Sequence, residues 1–186
     1  MANNALHLTV SLFELARLEA GATPLAKEPL DWVALCRNTA RRFEPSFRDA
    51  GLSLVWGNSP AEAWIEADGH RIEEVLENLL VNALRYVPTG GTVELSLGRA
   101  NGPSERWRLA VSDDGLGLPP EELPHVFERF YRGSGARGPG NSRDDGGSGL
   151  GLAIVREIVE RHGGKVRAEA RAPHGLSIIV ELPARA

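Results

Sequence analysis

The chain has 186 residues, of which 42% are hydrophobic, so we expect one domain with a substantial core and a short additional segment. The formal net charge of −4 gives no overall basic field and excludes nucleic acid as an expected partner. The single cysteine, Cys36, cannot form an internal disulfide, and no apolar run approaches the length of a membrane span. We therefore expect a cytoplasmic segment without membrane contact of its own, from a protein that can be anchored elsewhere.

Residues 1–24 are predicted to form a helix and a linker before the main domain, which we place at 25–186. Apolar side chains recur at helical spacing up to Gly21, a residue type that readily ends helices. Pro24 lies in the linker that follows. The alternative is an ordinary amphipathic helix that docks on its own domain.

The first helix of the main domain is predicted over residues 30–50. Asp31 can cap it, and the apolar spacing places Cys36 on its core face. Short strands are expected at 52–56 and 63–67, on either side of a turn that contains glycine and proline.

The next helix, predicted over residues 68–87, carries an unusual polar stripe. Asp68 is a good N-cap, and apolar residues within 72–83 recur at helical spacing on the core face. Asparagine is a mediocre helix former, so two of them one turn apart indicate a local role, such as an oxygen ligand for Mg²⁺. The alternative is a solvated face with ordinary i,i+4 pairing, and Glu73 and Glu77 are expected to face solvent. The stripe consists of Glu74, Asn78, Asn82 and Arg85.

Two strands follow, and the second ends in a glycine-rich turn. Alternating apolar residues predict strands at 92–97 and 107–111. The second strand leads into Asp113 and then into Gly115 and Gly117. Glycine lets a ligand approach the main chain closely, and the carboxylate offers a hydrogen-bond acceptor. Taken alone, this pattern is equally compatible with an ordinary turn that binds no ligand.

A second glycine cluster opens the last predicted helix, at residues 150–161. Gly147, Gly149 and Gly151 surround the start of this helix. A helix N-terminus has unpaired amide donors and a partial positive charge, so it favours phosphate. The two clusters together therefore indicate a nucleotide site.

The segment between the clusters is predicted as a helical turn followed by a lid. The turn lies within 119–130 and carries Phe130. Residues 133–147 are rich in glycine and polar residues and cannot bury a core, so we interpret them as a flexible lid, with a tolerated insertion as the alternative. A closing hairpin from strands at 165–170 and 176–182 completes a two-layer α/β (α+β) sandwich with three main helices and a mixed, largely antiparallel sheet.

Neither glycine cluster is specific alone, because no P-loop lysine is present and the Rossmann fingerprint needs its glycines in one strand-to-helix turn. In combination, four segments resemble the N, G1, F and G2 boxes of bacterial sensor histidine kinases, in the order typical of that family. The resemblance covers residues 25–186 and implies the Bergerat ATP-binding fold, which gyrase and mismatch-repair ATPases share. In addition, residues 15–21 resemble the end of the second helix of the family's dimerisation hairpin. The four boxes are Asn78-Leu79-Leu80-Val81-Asn82-Ala83, Val111-Ser112-Asp113-Asp114-Gly115-Leu116-Gly117, Phe127-Glu128-Arg129-Phe130-Tyr131-Arg132 and Gly147-Ser148-Gly149-Leu150-Gly151-Leu152-Ala153-Ile154-Val155.

The resemblance implies that the chain binds ATP and Mg²⁺ and assigns roles to individual residues. Asp113 accepts a hydrogen bond from the adenine amino group, and Asn78 supplies its amide oxygen to Mg²⁺, with Asn82 close to the phosphates. Arg85 takes the position of a basic phosphate contact that is usually lysine, and Tyr86 lies against adenine. The further nucleotide contacts implied are Gly115, Gly117, Arg129, Arg132, Gly147, Gly149, Leu150, Gly151 and Leu152.

A phospho-accepting histidine of this family is followed by Glu-Leu-Arg-x-Pro-Leu or a similar sequence, and none of the five histidines here has that context. The resemblance therefore implies the catalytic domain of a histidine protein kinase. Such a domain transfers the γ-phosphate of ATP to a histidine on a dimerisation hairpin, which we expect to lie mostly outside this chain. The implied partners are that hairpin, the receiver domain of a response regulator and a second copy of the parent in a homodimer.

Two other functions remain open at this point. Glu74 precedes Asn78 by four residues, where gyrase-type relatives place a water-activating base. A self-contained ATPase that uses Glu74 as a catalytic residue is therefore the main rival. The third interpretation is a non-catalytic adenine-nucleotide module that acts only by binding a partner.

Overall fold

The computed structural model describes residues 9–10, 12–13, 15–18, 20, 24–101, 105–133 and 148–185. Three main helices and seven strands form its framework. The helices are α1 (Trp32–Asp49), α2 (Gly69–Tyr86) and α3 (Gly151–Arg161), and a short 3-10 turn spans Leu123–His125. The strands are β1 (Glu28–Asp31), β2 (Ser53–Trp56), β3 (Trp64–Ala67), β4 (Thr92–Arg99), β5 (Arg106–Asp113), β6 (Lys165–Ala170) and β7 (Leu176–Pro183).

A five-stranded sheet in the order β2-β4-β5-β7-β6 forms one layer of the sandwich. In this sheet β2 runs parallel to β4, and the other neighbouring strands are antiparallel. β1 and β3 form a separate antiparallel pair. This topology confirms the predicted two-layer architecture with a mixed, largely antiparallel sheet.

The hydrophobic core lies between the helices and one face of the five-stranded sheet. Alternating residues of β4, β5 and β7 point into it, as the period of a strand requires. α2 contributes one continuous arc, and Cys36 of α1 is fully buried, as predicted. The buried residues of α2 are Ile72, Val75, Leu76, Leu79, Leu80 and Ala83.

The main domain begins with a strand instead of a helix. The helix predicted over residues 30–50 is wrong at its start, because Glu28–Asp31 forms β1 against β3. Four residues that include a proline show too little alternation to predict a strand. Asp31 nevertheless caps α1, because its Oδ1 accepts from the N–H of Val33 at 3.1 Å and from that of Ala63 at 3.0 Å.

The side of α2 that was expected to face solvent contacts α1. Arg42 of α1 forms ion pairs with Glu73 at 2.7 Å and with Glu77 at 2.8 Å. The Thr39 hydroxyl donates to the same Glu73 carboxylate at 3.2 Å. Partly exposed ion pairs contribute at most about 1 kcal/mol each. Hydrophobic packing is therefore the main force that holds α1 against α2.

The expected helical turn over 119–130 is shorter than predicted, and Phe130 lies outside the core. Regular structure in this segment is limited to the 3-10 turn. Val126 and Phe127 are buried, whereas Phe130 is 55% exposed. The φ angle of Phe130 is 61°, in the left-handed region, and such a residue interrupts a helix.

The described part of the N-terminal segment is helical and packs on the main domain. Leu15 and Leu18 are buried in the same core as the three main helices, whereas Val10 and Phe13 are exposed. The division of the chain at residue 24 stays a prediction.

Most of the proposed lid lies outside the described residues, because 134–147 are among those left out. This range includes Gly147, one of the predicted nucleotide contacts, and residues 1–8 are also outside the described residues. Among the helices that the structure describes, none combines the length and apolar character needed to cross a membrane.

Candidate nucleotide-binding site

Asp113 forms one end of the candidate site. It is the last residue of β5, and its Oδ1 accepts from the backbone N–H of Gly115 at 2.9 Å and from that of Leu176 at 3.3 Å. Within the described residues, its Oδ2 has no hydrogen-bond donor. The carboxylate is therefore held by one oxygen and presents the other as an acceptor for a ligand.

Burial raises the pKa of the Asp113 carboxyl, and the neighbouring Asp114 carboxylate adds to this effect. The two N–H donors and Arg171 act in the opposite direction, but desolvation dominates. A desolvated carboxylate with one unused oxygen is typical of a binding site. Asp114 differs, because its Oδ1 accepts from the Thr92 N–H at 2.7 Å and ties the loop to the start of β4.

The turn between β6 and β7 braces the Asp113 loop. The Nδ1 atom of His174 lies 3.1 Å from the Gly115 carbonyl oxygen. Gly175 has a φ of 118°, and a Cβ added there would lie 2.0 Å from the Asp113 carbonyl oxygen. A Cβ on Gly117 would in turn lie 2.9 Å from the Gly175 carbonyl oxygen. Both glycines are therefore required by close approach of backbone to backbone.

Gly175 and His174 are not predicted as site residues from the sequence, in which they belong to an ordinary hairpin turn. Glycine in a turn after proline is a common local pattern and carries no information about a site. The two residues contact the site because β7 pairs with β5, with Ser112 opposite Ser177. Strand order is a long-range property that the local pattern does not contain.

Gly175→Ala is expected to weaken nucleotide binding at least about tenfold, because the Asp113 backbone must move to admit a Cβ. Gly90→Ala is the matched control: its φ of 91° is also left-handed, but a Cβ there would meet no atom within 4 Å. The control should lose roughly 1 kcal/mol of stability and keep its affinity. Calorimetric titration with an ATP analogue and thermal unfolding measure both effects. Equal affinities in the two variants would contradict the bracing role of Gly175.

The structure brings the asparagine stripe of α2 against the second glycine cluster. A Cβ on Gly151 would lie 2.9 Å from Asn78 Oδ1 and 4.0 Å from Asn82 Nδ2. Asn78 Nδ2 donates to the Glu74 carbonyl oxygen at 2.9 Å, so the amide oxygen is the atom that points to Gly151. This oxygen lies beside the first turn of α3, whose amide donors favour phosphate.

The residues that lead into α3 are fixed by Phe130 and Leu150. The Phe130 N–H donates to the Gly149 carbonyl oxygen at 2.9 Å. Gly149 has a φ of 69°, and a Cβ there would lie 2.8 Å from the Phe130 backbone. Leu150 is fully buried, and its N–H donates to Ser148 Oγ at 3.3 Å. These contacts join the F-box segment to the second glycine cluster and orient the start of α3.

Glu74, the candidate base of the ATPase rival, takes part in an ion pair. Its Oε2 lies 2.7 Å from a guanidinium nitrogen of Arg71, and the two side chains are 21% and 23% exposed, respectively. A water molecule at Glu74 has to compete with this cation. Arg71 is not among the partners predicted from the sequence.

The five remaining side chains predicted to contact the nucleotide differ in exposure. Gly147 is outside the described residues, and the other four predicted glycine contacts, Gly115, Gly117, Gly149 and Gly151, are described above. The roles of all these residues in nucleotide binding stay predictions. The side chains concerned are Arg85 and Leu152, which are half-buried, Tyr86, which is 40% exposed, and Arg129 and Arg132, which are exposed.

The oxygen ligands available here fit a cation that is bound together with a nucleotide. In the part of the chain that the structure describes, no cluster of three His, Cys, Asp or Glu side chains could hold a metal ion. The Asn78 amide oxygen, by contrast, accepts no hydrogen bond from a described residue. Mg²⁺ takes oxygen ligands and usually keeps several water or phosphate oxygens. A single protein oxygen beside a phosphate site is therefore a suitable ligand set.

A strand-end carboxylate and an asparagine pair facing a helix N-terminus, on this two-layer sandwich, form the arrangement expected of a nucleotide-binding domain. The sequence pattern of one family, described as "Histidine kinase-, DNA gyrase B-, and HSP90-like ATPase", matches residues 67–186. The chain belongs to this family, and within it the chain is an ATP-binding domain of the histidine kinase type.

Individual relatives agree with this assignment. The signal transduction histidine-protein kinase BaeS of Escherichia coli is 36% identical over 95% of this chain. The solved mycobacterial sensor histidine kinase MprB is 32% identical with a TM-score of 0.69, and the match covers 85% of this chain and 99% of that one. Full-length ShkA in complex with AMPPNP is 28% identical with a TM-score of 0.82 over 100% of this chain. The chain spans 36% of BaeS and 37% of ShkA.

Proposed function

We propose that the domain binds ATP with adenine at Asp113 and with the phosphates between Asn78 and the start of α3, and that it transfers the γ-phosphate to a histidine on a dimerisation hairpin. One observation carries the proposal: an unused carboxylate oxygen ends β5, and an amide oxygen faces the first turn of α3. BaeS and MprB are both named histidine kinases, which supports transfer in addition to binding. ShkA was solved with AMPPNP, an ATP analogue, which supports the choice of nucleotide.

The proposed roles of the individual residues follow from the chemistry at the adenine end and at the phosphate end of the site. The Asp113 carboxylate accepts from the adenine amino group, where guanine carries an oxygen and would be repelled. Asn78 holds Mg²⁺ through its amide oxygen, Asn82 donates to a phosphate, and Arg129 and Arg132 are candidate clamps on the phosphates. Bound Mg²⁺ supplies charge neutralisation. Phosphoryl transfer depends mainly on positioning and on charge neutralisation, which these side chains can provide without covalent chemistry.

The described histidines do not have the surroundings of a phospho-acceptor. Both ring nitrogens of buried His162 are hydrogen-bonded. His125 pairs with a neighbouring glutamate, and His174 bonds a carbonyl oxygen of the Asp113 loop. His70 is exposed but, like the others, lacks an acceptor motif. These features support an acceptor on a separate hairpin.

The proposed partners are this hairpin, a second copy of the parent in a homodimer and the receiver domain of a response regulator. The names of the relatives support a signalling role, since BaeS is a signal transduction kinase. The chain spans about a third of such relatives, so these partners are properties that we propose for the whole protein. We place the domain in the cytoplasm, where ATP is available and a lone buried thiol such as that of Cys36 stays reduced.

Incubated with radiolabelled ATP and Mg²⁺, the domain is expected to phosphorylate a separately supplied hairpin of its parent and not itself. Transfer should be slow, because separation removes the effective concentration that a tether provides. The label should be labile in acid and stable in base, as phosphohistidine is. A hairpin whose acceptor histidine is replaced serves as the control and should stay unlabelled.

Other outcomes would identify the rivals. Rapid release of free phosphate without transfer, abolished by Glu74→Ala, would indicate the self-contained ATPase. The ion pair between Arg71 and Glu74 makes that outcome less expected. Acid-labile label on the domain alone would reveal an acceptor histidine in this chain. Nucleotide binding without transfer or hydrolysis would indicate the binding module.

A further inference from the structure

We propose that His162 and Asp68 act as a positioning pair, which couples the linker directly before β1 (residues 24–27) to the alignment of the nucleotide-binding helices α2 and α3. The proposal rests on the proposed function, because it assumes that nucleotide binds where α2 meets the start of α3. It assigns a role to a buried histidine that the phosphotransfer chemistry itself does not use.

His162 is held by both of its ring nitrogens. It follows the last residue of α3 and is 4% exposed. Its Nδ1 lies 2.7 Å from the Ile158 carbonyl oxygen, and its Nε2 lies 3.1 Å from the Asp68 backbone nitrogen. Because a carbonyl can only accept and a backbone N–H can only donate, Nδ1 carries the proton and Nε2 does not. The ring is therefore neutral, in the one tautomer that satisfies both bonds.

Asp68 connects this ring to the linker and to α2. Its carboxylate caps α2 by accepting from the Arg71 N–H at 3.3 Å, and it accepts from the Ala26 N–H in the linker at 3.1 Å. Lys27, the next linker residue, donates from Nζ to the Arg161 carbonyl oxygen at the end of α3, at 3.3 Å. The linker, the first turn of α2 and the last turn of α3 thus meet at one point.

The pair lies at the opposite end of the same helix contact that forms the phosphate site. Asp68 and Asn78 are ten residues apart along α2, and Gly151 and His162 are eleven apart along α3. Each separation corresponds to roughly 15 Å of helix. Two contacts at this separation fix both the relative sliding and the relative tilt of two helices, whereas one contact does not. If the contact at His162 is lost, a smaller fraction of molecules has Asn78 aligned with Gly151, and the apparent affinity falls in proportion to that fraction.

Protonation of the ring is expected to break the contact. Burial lowers the pKa of His162, and the nearby charges of Lys27 and Arg161 act in the same direction, whereas the Ile158 carbonyl and the Asp68 carboxylate oppose it. A protonated Nε2 would face the Asp68 N–H as donor against donor. With the folded pKa below the usual 6.5, stability from this group is fully present above pH 6.5 and is lost as the pH falls through the folded pKa.

Two substitutions at His162 and one control separate positioning from a merely structural role. His162→Phe keeps a ring of similar volume and removes both hydrogen bonds. His162→Gln keeps one donor and one acceptor and does not titrate. His70→Phe is the matched control, because His70 is exposed on the first turn of α2.

In the complete chain, His162→Phe should bind AMPPNP about tenfold more weakly and show faster amide exchange over residues 24–31. His162→Gln should restore most of both, and His70→Phe should match the wild type. Corrected for the intrinsic rate, exchange of the linker in the wild type should rise as the pH is lowered from about 7.5 through the lowered pKa of His162, within the range in which the domain stays folded. In His162→Gln this exchange should stay constant over the same range.

Equal AMPPNP affinity and equal linker exchange in folded His162→Phe and wild type would overturn the proposal. If His162→Phe does not fold, the pH series on the wild type and His162→Gln decides, and identical profiles in the two proteins would overturn it. If the wild type fails to bind AMPPNP, the proposed function fails. The linker exchange then still tests the His162–Asp68 contact on its own.

Discussion

Asp113→Asn is expected to weaken ATP binding at least about a hundredfold without destabilising the nucleotide-free domain. The asparagine oxygen must continue to accept from the N–H groups of Gly115 and Leu176, so its NH₂ group replaces the free carboxylate oxygen. This NH₂ group would face the adenine amino group, donor against donor. Flipping the amide only moves the conflict to the two backbone N–H groups.

The expected effect on stability follows from the raised pKa of Asp113, whose main cause is desolvation. Stability from this carboxyl is fully present below its usual pKa of 3.8 and is lost as the pH rises through the raised value. At neutral pH the folded protein therefore bears the cost of a buried charge. An uncharged asparagine removes that cost, so the variant should unfold at the same temperature as the wild type or a higher one. The difference should shrink as the pH approaches 3.8.

Calorimetric titration with ATP and with inosine triphosphate tests the assignment of the base. Inosine carries an oxygen in place of the amino group, so Asp113→Asn should narrow or reverse the preference for ATP. Asp114→Asn is the matched control, because the Asp114 carboxylate bonds the Thr92 N–H instead of facing the base. Unchanged ATP affinity in Asp113→Asn, or an equal loss in Asp114→Asn, would contradict the assignment.

Helix α2 illustrates which features of the fold and the site can be predicted from the sequence. The spacing of its apolar residues predicts the face that packs in the core, and Asp68 predicts its N-terminus. The two asparagines, which are mediocre helix formers, predict a binding site. These signals are local, since each depends on helix geometry and residue propensity alone. The same is true of the strand that ends at Asp113 and of the glycines around the start of α3. The order of the four boxes then predicts that these segments come together.

The features that the sequence does not display are contacts between segments distant along the chain. Gly175 belongs to the site because β7 pairs with β5, and His162 contacts Asp68 across 94 residues of sequence. β1 forms because β3 supplies its hydrogen-bond partners, although its own four residues have no strand pattern. The partners of Glu73 and Glu77 are likewise set by the placement of α1. Each of these depends on tertiary packing, which single-sequence periodicity does not report.

Asn78→Ala is expected to reduce phosphotransfer to the hairpin at least about a hundredfold, because it removes the proposed protein ligand of Mg²⁺. Adenine recognition at Asp113 lies at the other end of the site and should be retained. Helix α2 should tolerate the change, since alanine is the best helix former and the Asn78 side chain is only half-buried. A loss of transfer in this variant therefore reports on the site and not on unfolding.

Asn78→Asp tests whether the orientation of the ligand oxygen matters in addition to its presence. The native Nδ2 donates to the Glu74 carbonyl oxygen at 2.9 Å, which points Oδ1 towards Gly151. A carboxylate keeps an oxygen of similar reach but has no donor for that carbonyl, so the two oxygens repel each other. The side chain should then rotate, and phosphotransfer should fall between the levels of the wild type and Asn78→Ala.

The decisive measurement is ATP affinity with Mg²⁺ and with a chelator. The wild type should bind more tightly with Mg²⁺, and Asn78→Ala should show little difference between the two conditions. Asn82→Ala is the matched control one turn away: its Nδ2 is proposed to meet a phosphate, so its affinity should fall in both conditions while the Mg²⁺ difference persists. An unchanged Mg²⁺ difference and full phosphotransfer in Asn78→Ala would rule out this residue as the metal ligand. Among the described residues, no cluster of three His, Cys, Asp or Glu side chains could take over that role.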